Sequence, residues 1–303
     1  MKDIENIITE IYYDVDEFCK AFEDYCIKNI LSSDKVNKVF PKCMMSLSEV
    51  ITITILFHHS GTRCFKWFYA KDVCGKNLRE YFPNRLSYGR FVEVMQYAIL
   101  PLLVYTLKYK CGDSTGISYI DSTFLEACHL RREYSHKVFK GIAGKGKGST
   151  GWHYGFKLHL IINEKGEIIS FCLTAGNVDD RNMDVINHLC KEISGKLFGD
   201  RGYVSKKLFE YLYENKGIEL ITKLKKNMKN KLMNIEDKIL LRKRLVIESV
   251  NDFLKNICYI EHSRHRSEIN FYINVISGLA AYSFLEKLPS LHLREKMGLN
   301  SGN

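Results

Sequence analysis

Beyond Gly116 the chain alternates short apolar runs with amphipathic stretches, in the order strand, strand, strand, helix, strand, helix, strand, helix. That alternation confines it to a mixed α/β sheet covered by helices, with right-handed crossovers between parallel strands. Residues 117–121, 155–163, 167–174, 196–200 and 218–223 read as strands, because β-branched and aromatic residues crowd them between turn residues. Asn163-Glu164-Lys165-Gly166 is short enough to join the second and third strands as an antiparallel hairpin. Residues 177–194, 205–215 and those from 234 onward read as helices. The glycine- and lysine-rich segment 141–151 lacks the Gly-x4-Gly-Lys-Ser/Thr spacing of a phosphate loop, so a mobile basic loop is expected there.

The first third has helical texture instead. Ile4, Ile7, Ile8, Ile11, Val15, Phe18, Phe22 and Cys26 recur at three- and four-residue spacing, which predicts one amphipathic helix over 3–30. Ser46-Leu47-Ser48-Glu49 is a capping box opening a second helix through Phe57, since hydroxyl and carboxylate satisfy each other's free backbone amides. A long helix starts near Leu86 and is expected to kink at Pro101, which removes a backbone bond one turn back. Lys66, Lys71, Arg85 and Arg90, set among short helices, suit a helix-turn-helix-like DNA reader; the same pattern also suits an all-helical cap packed on its neighbour. The closing apolar stretch, 269 to about 284, is expected to be a helix packed on the α/β part.

Charge narrows the class of partner. The chain holds 45 Lys+Arg against 35 Asp+Glu, a net of +10. Residues 1–120 hold 15 against 14, a net of +1, whereas 121–303 hold 30 against 21, a net of +9. The second part is built to meet a polyanion, of which nucleic acid is the commonest. Ten cysteines occur without any Cys-x-x-Cys pair, which suits buried thiols and neither a disulfide framework nor a zinc site. The longest apolar runs, 50–57 and 97–105, fall short of the roughly 20 residues a membrane span needs. Met1-Lys2-Asp3-Ile4-Glu5 is acidic where a signal peptide is basic. Membrane and secretory roles are therefore not expected.

Three segments carry candidate chemistry. Tyr119-Ile120-Asp121-Ser122-Thr123 puts an acid where the first apolar run stops, and Phe198-Gly199-Asp200-Arg201-Gly202-Tyr203 puts another at the end of the fourth. Either alone also suits a turn or a helix cap. Together they occupy the carboxyl ends of strands, where open α/β sheets build their sites. In segment 241–255, Glu248 lies about 40° and Lys255 about 20° around the helix from Arg244, on one stripe about 16 Å long. A solvated helical ion pair gives the same stripe.

Taken together, these segments resemble the DDE transposases of insertion sequences, whose core is ribonuclease-H-like, and most closely the IS982 family. The resemblance spans roughly 46–285 and rests on the two acid motifs, on Arg244-x3-Glu248-x6-Lys255 and on Ser263-Arg264-His265-Arg266-Ser267. The Arg, Glu and Lys spacing is the signature of the broader IS4-like group; that group has a tyrosine where Leu241 stands, which puts a DNA-end contact at that place in doubt. The resemblance implies a ribonuclease-H-like mixed sheet flanked by helices behind an N-terminal all-helical domain. It divides the chain into a helical DNA-binding region at 1–112, a DDE catalytic domain at 113–285 and a tail at 286–303.

It further implies that Asp121, Asp200 and Glu248 hold two Mg²⁺ ions, with Mn²⁺ as a substitute, for in-line phosphoryl displacement. Arg244 and Lys255 would hold phosphates or a displaced terminal nucleotide. Lys145, Lys147, Arg201, Lys225, Lys226, Arg264 and Arg266 are further expected DNA contacts, with Arg131, Arg132, Lys137, Lys140, Lys223, Lys229, Lys231, Arg242 and Lys243 adding salt-dependent grip. Trp152 suits either stacking of an unpaired base or anchoring of its hairpin. The expected partners are inverted-repeat ends and target DNA, met by a homodimer in a synaptic complex in the cytoplasm, at the nucleoid. A ribonuclease-H-like nuclease without strand transfer and a non-catalytic DNA-binding relative are the alternatives.

Overall fold

The computed structural model describes residues 4–29, 41, 43–148, 151–223, 233–261 and 265–291. The chain forms two compact units, Met1–Lys110 with Leu254–Glu286, and Cys111–Phe253 with Lys287–Asn303.

The first unit is helical. Its first helix α1 (Ile4–Asn29) buries Ile8, Ile11, Val15, Phe18 and Cys26, the apolar stripe of the sequence. In α2 (Leu47–His59) the Ser46 and Glu49 side chains complete the capping box, and nearly every residue is buried, so this helix forms the unit's axis. Next, α3 (Phe65–Phe68) widens into a π turn at Tyr69–Val73. The long helix resolves into α4 (Tyr88–Met95), a tightened turn at Gln96–Ala98 and α5 (Ile99–Tyr105), continuing to Lys110. The tight turn lies where Pro101 has no N–H to offer the carbonyl of Tyr97. Among the described residues, the continuous run Tyr88–Lys110 is the one helix long and apolar enough to cross a bilayer, although neither apolar run alone has that length. Its residues Phe91, Val94, Leu102 and Tyr105 are fully buried in the helical core.

The expected closing helix spans Glu268–Ser283 and packs with α2 and α5 within the helical unit. Small residues fit it there. Gly278 lets the chain at Ile260 approach so closely that an added Cβ would lie 2.2 Å from the Ile260 side chain. The buried His58 lies between these segments, with its Nδ1–H donating to the Cys258 carbonyl and Nε2 2.9 Å from Ser277 Oγ.

Burial pushes the His58 imidazole down from 6.5 to about 4. Its folded pKa lies below its unfolded one, so the unfolded chain binds more protons between those values and stability falls as pH falls through that window. We expect this unit to lose about 3 kcal/mol between pH 7 and 4 on this account. Denaturant titrations of wild type and His58→Gln should show a shallower acid loss in the variant.

The second unit holds β1 (Ile117–Cys128), β2 (Gly144–Gly148), β3 (Gly151–Asn163), β4 (Ile168–Ala175), β5 (Lys196–Gly199) and β6 (Glu219–Thr222). The sheet runs β2-β3-β1-β5-β6, with β4 also on β3, beyond β2 along the same edge. The pairs β1–β3, β2–β3 and β3–β4 are antiparallel, whereas β1–β5 and β5–β6 are parallel. This mixed six-stranded sheet, flanked by helices and preceded by a helical region, is consistent with the ribonuclease-H-like fold.

Helices α6 (Met183–Leu189) and α7 (Lys206–Lys216) cover the face that carries Ile120, Ile161 and Leu197. Alternation along β1 turns Tyr119 and Asp121 to the other face. There Tyr119 reaches the Leu240 carbonyl of α8 (Ile235–Arg242), and Asp121 meets Asn251 of α9 (Leu245–Asn256).

Three expectations need correction. The first strand does not stop at Asp121: pairing with β3 carries β1 to Cys128, while pairing with β5 ends at Tyr119–Phe198. Segment 141–151 is no loop at 144–148, because Gly144, Gly146 and Gly148 let an edge strand lie against Gly176 and the Phe124 ring. The helix expected over 177–194 shrinks to Met183–Leu189, since the Asn182 side chain caps it there.

Candidate active site

Asp121 projects from β1 just beyond the last parallel pair with β5. Asp200 directly follows β5 and caps the short turn Arg201–Tyr203, its Oδ1 accepting from Gly202 N–H at 2.7 Å. Glu248 stands in the first turn of α9. Two strands and one crossing helix thus deliver the three acids to the carboxyl end of the parallel strands. Gly202 lies so near that an added Cβ would sit 2.9 Å from Asp200 Oδ1. Gly202→Ala is expected to displace this carboxylate and lower any metal-dependent activity by about tenfold with little change in melting temperature, readable by turnover at saturating metal.

Arg244 stands between two of the acids. Its Nη2 pairs with Glu248, and its Nη1 is 3.8 Å from Asp121 Oδ1. Asn251 Nδ2 donates to Asp121 Oδ2 at 3.1 Å. Burial raises the Asp121 carboxyl to about 7; the Arg244 guanidinium and the Ser122 amide oppose the shift, and the charges of Asp200 and Glu248 reinforce it. The acids therefore feel one another, and a guanidinium supplies the countercharge.

On the other face of β1 lies a second polar cluster. Lys157, almost wholly buried on β3, donates to the Val178 carbonyl at 2.8 Å and to Asp180 Oδ1 at 3.0 Å. Ser122 Oγ donates to the same Asp180 oxygen at 2.9 Å. His159 Nδ1 is 3.8 Å away, and burial lowers the His159 pKa. The Tyr203 phenol is pushed far above its ordinary value, by burial first and then by the charges of Asp180, Asp121 and Asp200.

Sequence reasoning missed Asn251, Asp180 and Lys157. Asn251 lies three residues after Glu248 and so on its helical stripe, a signal that was available. Nothing in Asn177-Val178-Asp179-Asp180 marks Asp180 as the partner of a lysine 23 residues earlier.

The expected DNA contacts scatter. Lys255 is on the same helix as Glu248, but its ammonium pairs with Glu261 at 2.9 Å. Arg201 is exposed beside Asp200, Lys145 and Lys147 are exposed on β2, and Arg266 is exposed in the helical unit. Lys225, Lys226 and Arg264, with Lys229 and Lys231, lie outside the described residues. In the helical unit, Arg85 is spent on the carbonyls of Arg79 and Phe82, and Arg90 on Glu93.

Among the described residues, no three His, Cys, Asp or Glu side chains stand close enough to ligate one ion as arranged. The donor set nevertheless fits a hard divalent cation: carboxylates on β1, after β5 and on α9, with Asp121 raised partly by the charges of the other two and a guanidinium paired between Asp121 and Glu248. Turning Arg244 away would free Glu248 to face Asp121.

No curated protein matches the chain. A protein-family model described as "Transposase DDE domain" matches residues 111–268, just over half of the chain, and spans all three acids and the entire sheet. With Asp121 just past the parallel pairing of β1 with β5, Asp200 directly after β5 and Glu248 on helix α9, all inside the matched segment, this chain belongs to the DDE transposase family.

Proposed function

We propose that the protein is the transposase of an insertion sequence of the IS982 type, binding the element's terminal inverted repeats, cutting DNA there and joining the freed end to target DNA. The observation that carries this reading is the electrostatic coupling of Asp121 to both Asp200 and Glu248, balanced by Arg244. Asp121, Asp200 and Glu248 would hold two Mg²⁺ ions, with Mn²⁺ able to replace them. Bound there, the ions would supply Lewis-acid stabilisation of the attacking and leaving oxygens of an in-line displacement.

The chain's own residues do the rest. Asn251 holds Asp121 by one oxygen and leaves the other directed at Arg244. Arg244, released from Glu248, can neutralise the scissile phosphate, as guanidinium geometry favours. The Gly202 amide fixes Asp200. Lys255, Arg201, Lys145, Lys147 and Arg266 are proposed to grip backbone phosphates, together with Lys225, Lys226 and Arg264. The helical region 1–112 is proposed as the reader of the ends, 113–285 as the catalytic domain and 286–303 as a tail. Two ends must be paired, so a homodimer in a synaptic complex is proposed, acting on DNA in the cytoplasm.

Incubation with a pre-cut inverted-repeat end and a target plasmid tests the reading. Joined products that need a divalent cation support transposition. Cleavage of uncut ends without any joining would reduce the reading to a nuclease of the same core, and DNA binding with neither would reduce it to a binding protein.

A further inference from the structure

The hairpin of β2 and β3 has two unlike faces. Gly144, Gly146 and Gly148 face inward, where a Cβ would collide with Asn177, with the Gly176 carbonyl or with the Phe124 ring. His153 stacks on Phe124 at 4.9 Å between ring centroids, on that same inner side. These contacts anchor the hairpin from its inner side. On the outer face Lys147 sits directly across from Trp152 in register, and Lys145 is two residues along the strand. Both ammoniums lie over the indole, 5.7 and 5.9 Å from the ring centroid. The tryptophan is 53% exposed all the same.

The turn Leu130–Ser135 is tied alongside. Lys145 pairs with Glu133 at 3.4 Å, and the His136 ring meets the Tyr154 ring at 6.4 Å. This turn carries Arg131 and Arg132, both exposed, and Tyr134 at 93% exposure. Exposed aromatic rings and cations thus interleave on one surface. The pattern matches the chemistry of unpaired nucleotides: a flat π surface for a base, and ammoniums or guanidiniums for the phosphates on either side.

We propose that the outer face of the β2–β3 hairpin binds single-stranded DNA, with Trp152 stacking an unpaired base, Tyr134 offering a second ring, and Lys145 and Lys147 turning to the flanking phosphates. Duplex DNA presents phosphates but no free base face, so it can use the lysines and not the indole. The site rests on the reading of the chain as a DNA-processing enzyme, and it names a form of DNA held by the unit that carries the acids.

The test is fluorescence anisotropy of labelled oligothymidylate and of a matched duplex inverted-repeat end, using the full chain in magnesium-free buffer. Trp152→Ala should weaken single-strand binding by roughly tenfold and duplex binding less than about twofold. Trp152→Phe, which keeps a ring, should recover most of the loss. Lys145→Ala with Lys147→Ala should weaken both forms and flatten the salt dependence. Unchanged single-strand binding in Trp152→Ala would overturn the proposal, as would equal losses on duplex, or a loss that Phe does not repair. Circular dichroism of each variant guards against misfolding, and Tyr134→Ala is the second variant should Trp152→Ala fail to fold; its wild-type single-strand affinity would then overturn the proposal. If wild type bound neither DNA form, the functional reading itself would fall; duplex binding with an inert Trp152 would remove the stacking site alone.

Discussion

Asp121→Asn is expected to abolish metal-dependent DNA cleavage, with a loss of at least about a thousandfold, or about 4 kcal/mol of transition-state stabilisation, while DNA binding stays within about twofold. An amide keeps the shape and the Asn251 contact but cannot supply a second charged oxygen to a cation. Gel assays of cleavage and of binding, run on one preparation, separate the two effects.

The same substitution has an opposite effect on stability. Asp121 titrates near 7 in the folded chain against 3.8 ordinarily. The folded state therefore holds its proton more tightly, and the stability this contributes is complete below about pH 4 and lost as pH rises through 7. Asn carries no such loss. At about pH 8 and without divalent cations, Asp121→Asn should be more stable than wild type by about 2 to 4 kcal/mol, and added Mg²⁺ should narrow or reverse the difference. A wild type that is the more stable without metal would mean that burial and like charge do not load this carboxylate.

The largest expected loss of stability lies at Lys157. Replacing it with Met leaves Asp180, set beneath β1 with Ser122 and His159, without its cation, at a cost of about 3 to 5 kcal/mol. Adding Asp180→Asn to Lys157→Met should restore much of that, because the uncompensated charge is then gone. Urea midpoints of the two single variants and the double variant form the cycle. Additive losses would show that the two side chains act independently.

What the sequence made legible was local. The stripe of α1 and the Ser46–Glu49 capping box depend on residues within a turn or two of each other, and both stand where the spacing put them. The strands β3 to β6 were marked by their own composition, and Arg244 with Glu248 by their four-residue interval. What remained hidden depended on partners distant in sequence. The Gly-Lys-Gly-Lys-Gly strand has the composition of a linker, and only a second backbone at Gly176 and a ring at Phe124 make glycine the residue that fits. Lys157 sits inside an apolar strand, where a lysine signals solvent until Asp180 comes beneath it. The closing helix does not name its neighbours by composition; Gly278 and Ser277 fit it to Ile260 and His58. Lys255 shares the stripe of Glu248, yet it turns to Glu261, a carboxylate beyond its own helix.

Asp121, Asp200 and Glu248 are proposed together to bind the divalent cation that DNA cleavage needs. Anomalous diffraction from crystals of the protein bound to an inverted-repeat end and soaked in Mn²⁺ tests it most directly. Manganese density among these three carboxylates, with Arg244 turned off Glu248, is the expected result. Manganese held elsewhere, or carboxylates still locked to Arg244 in a complex that cleaves DNA, would contradict it.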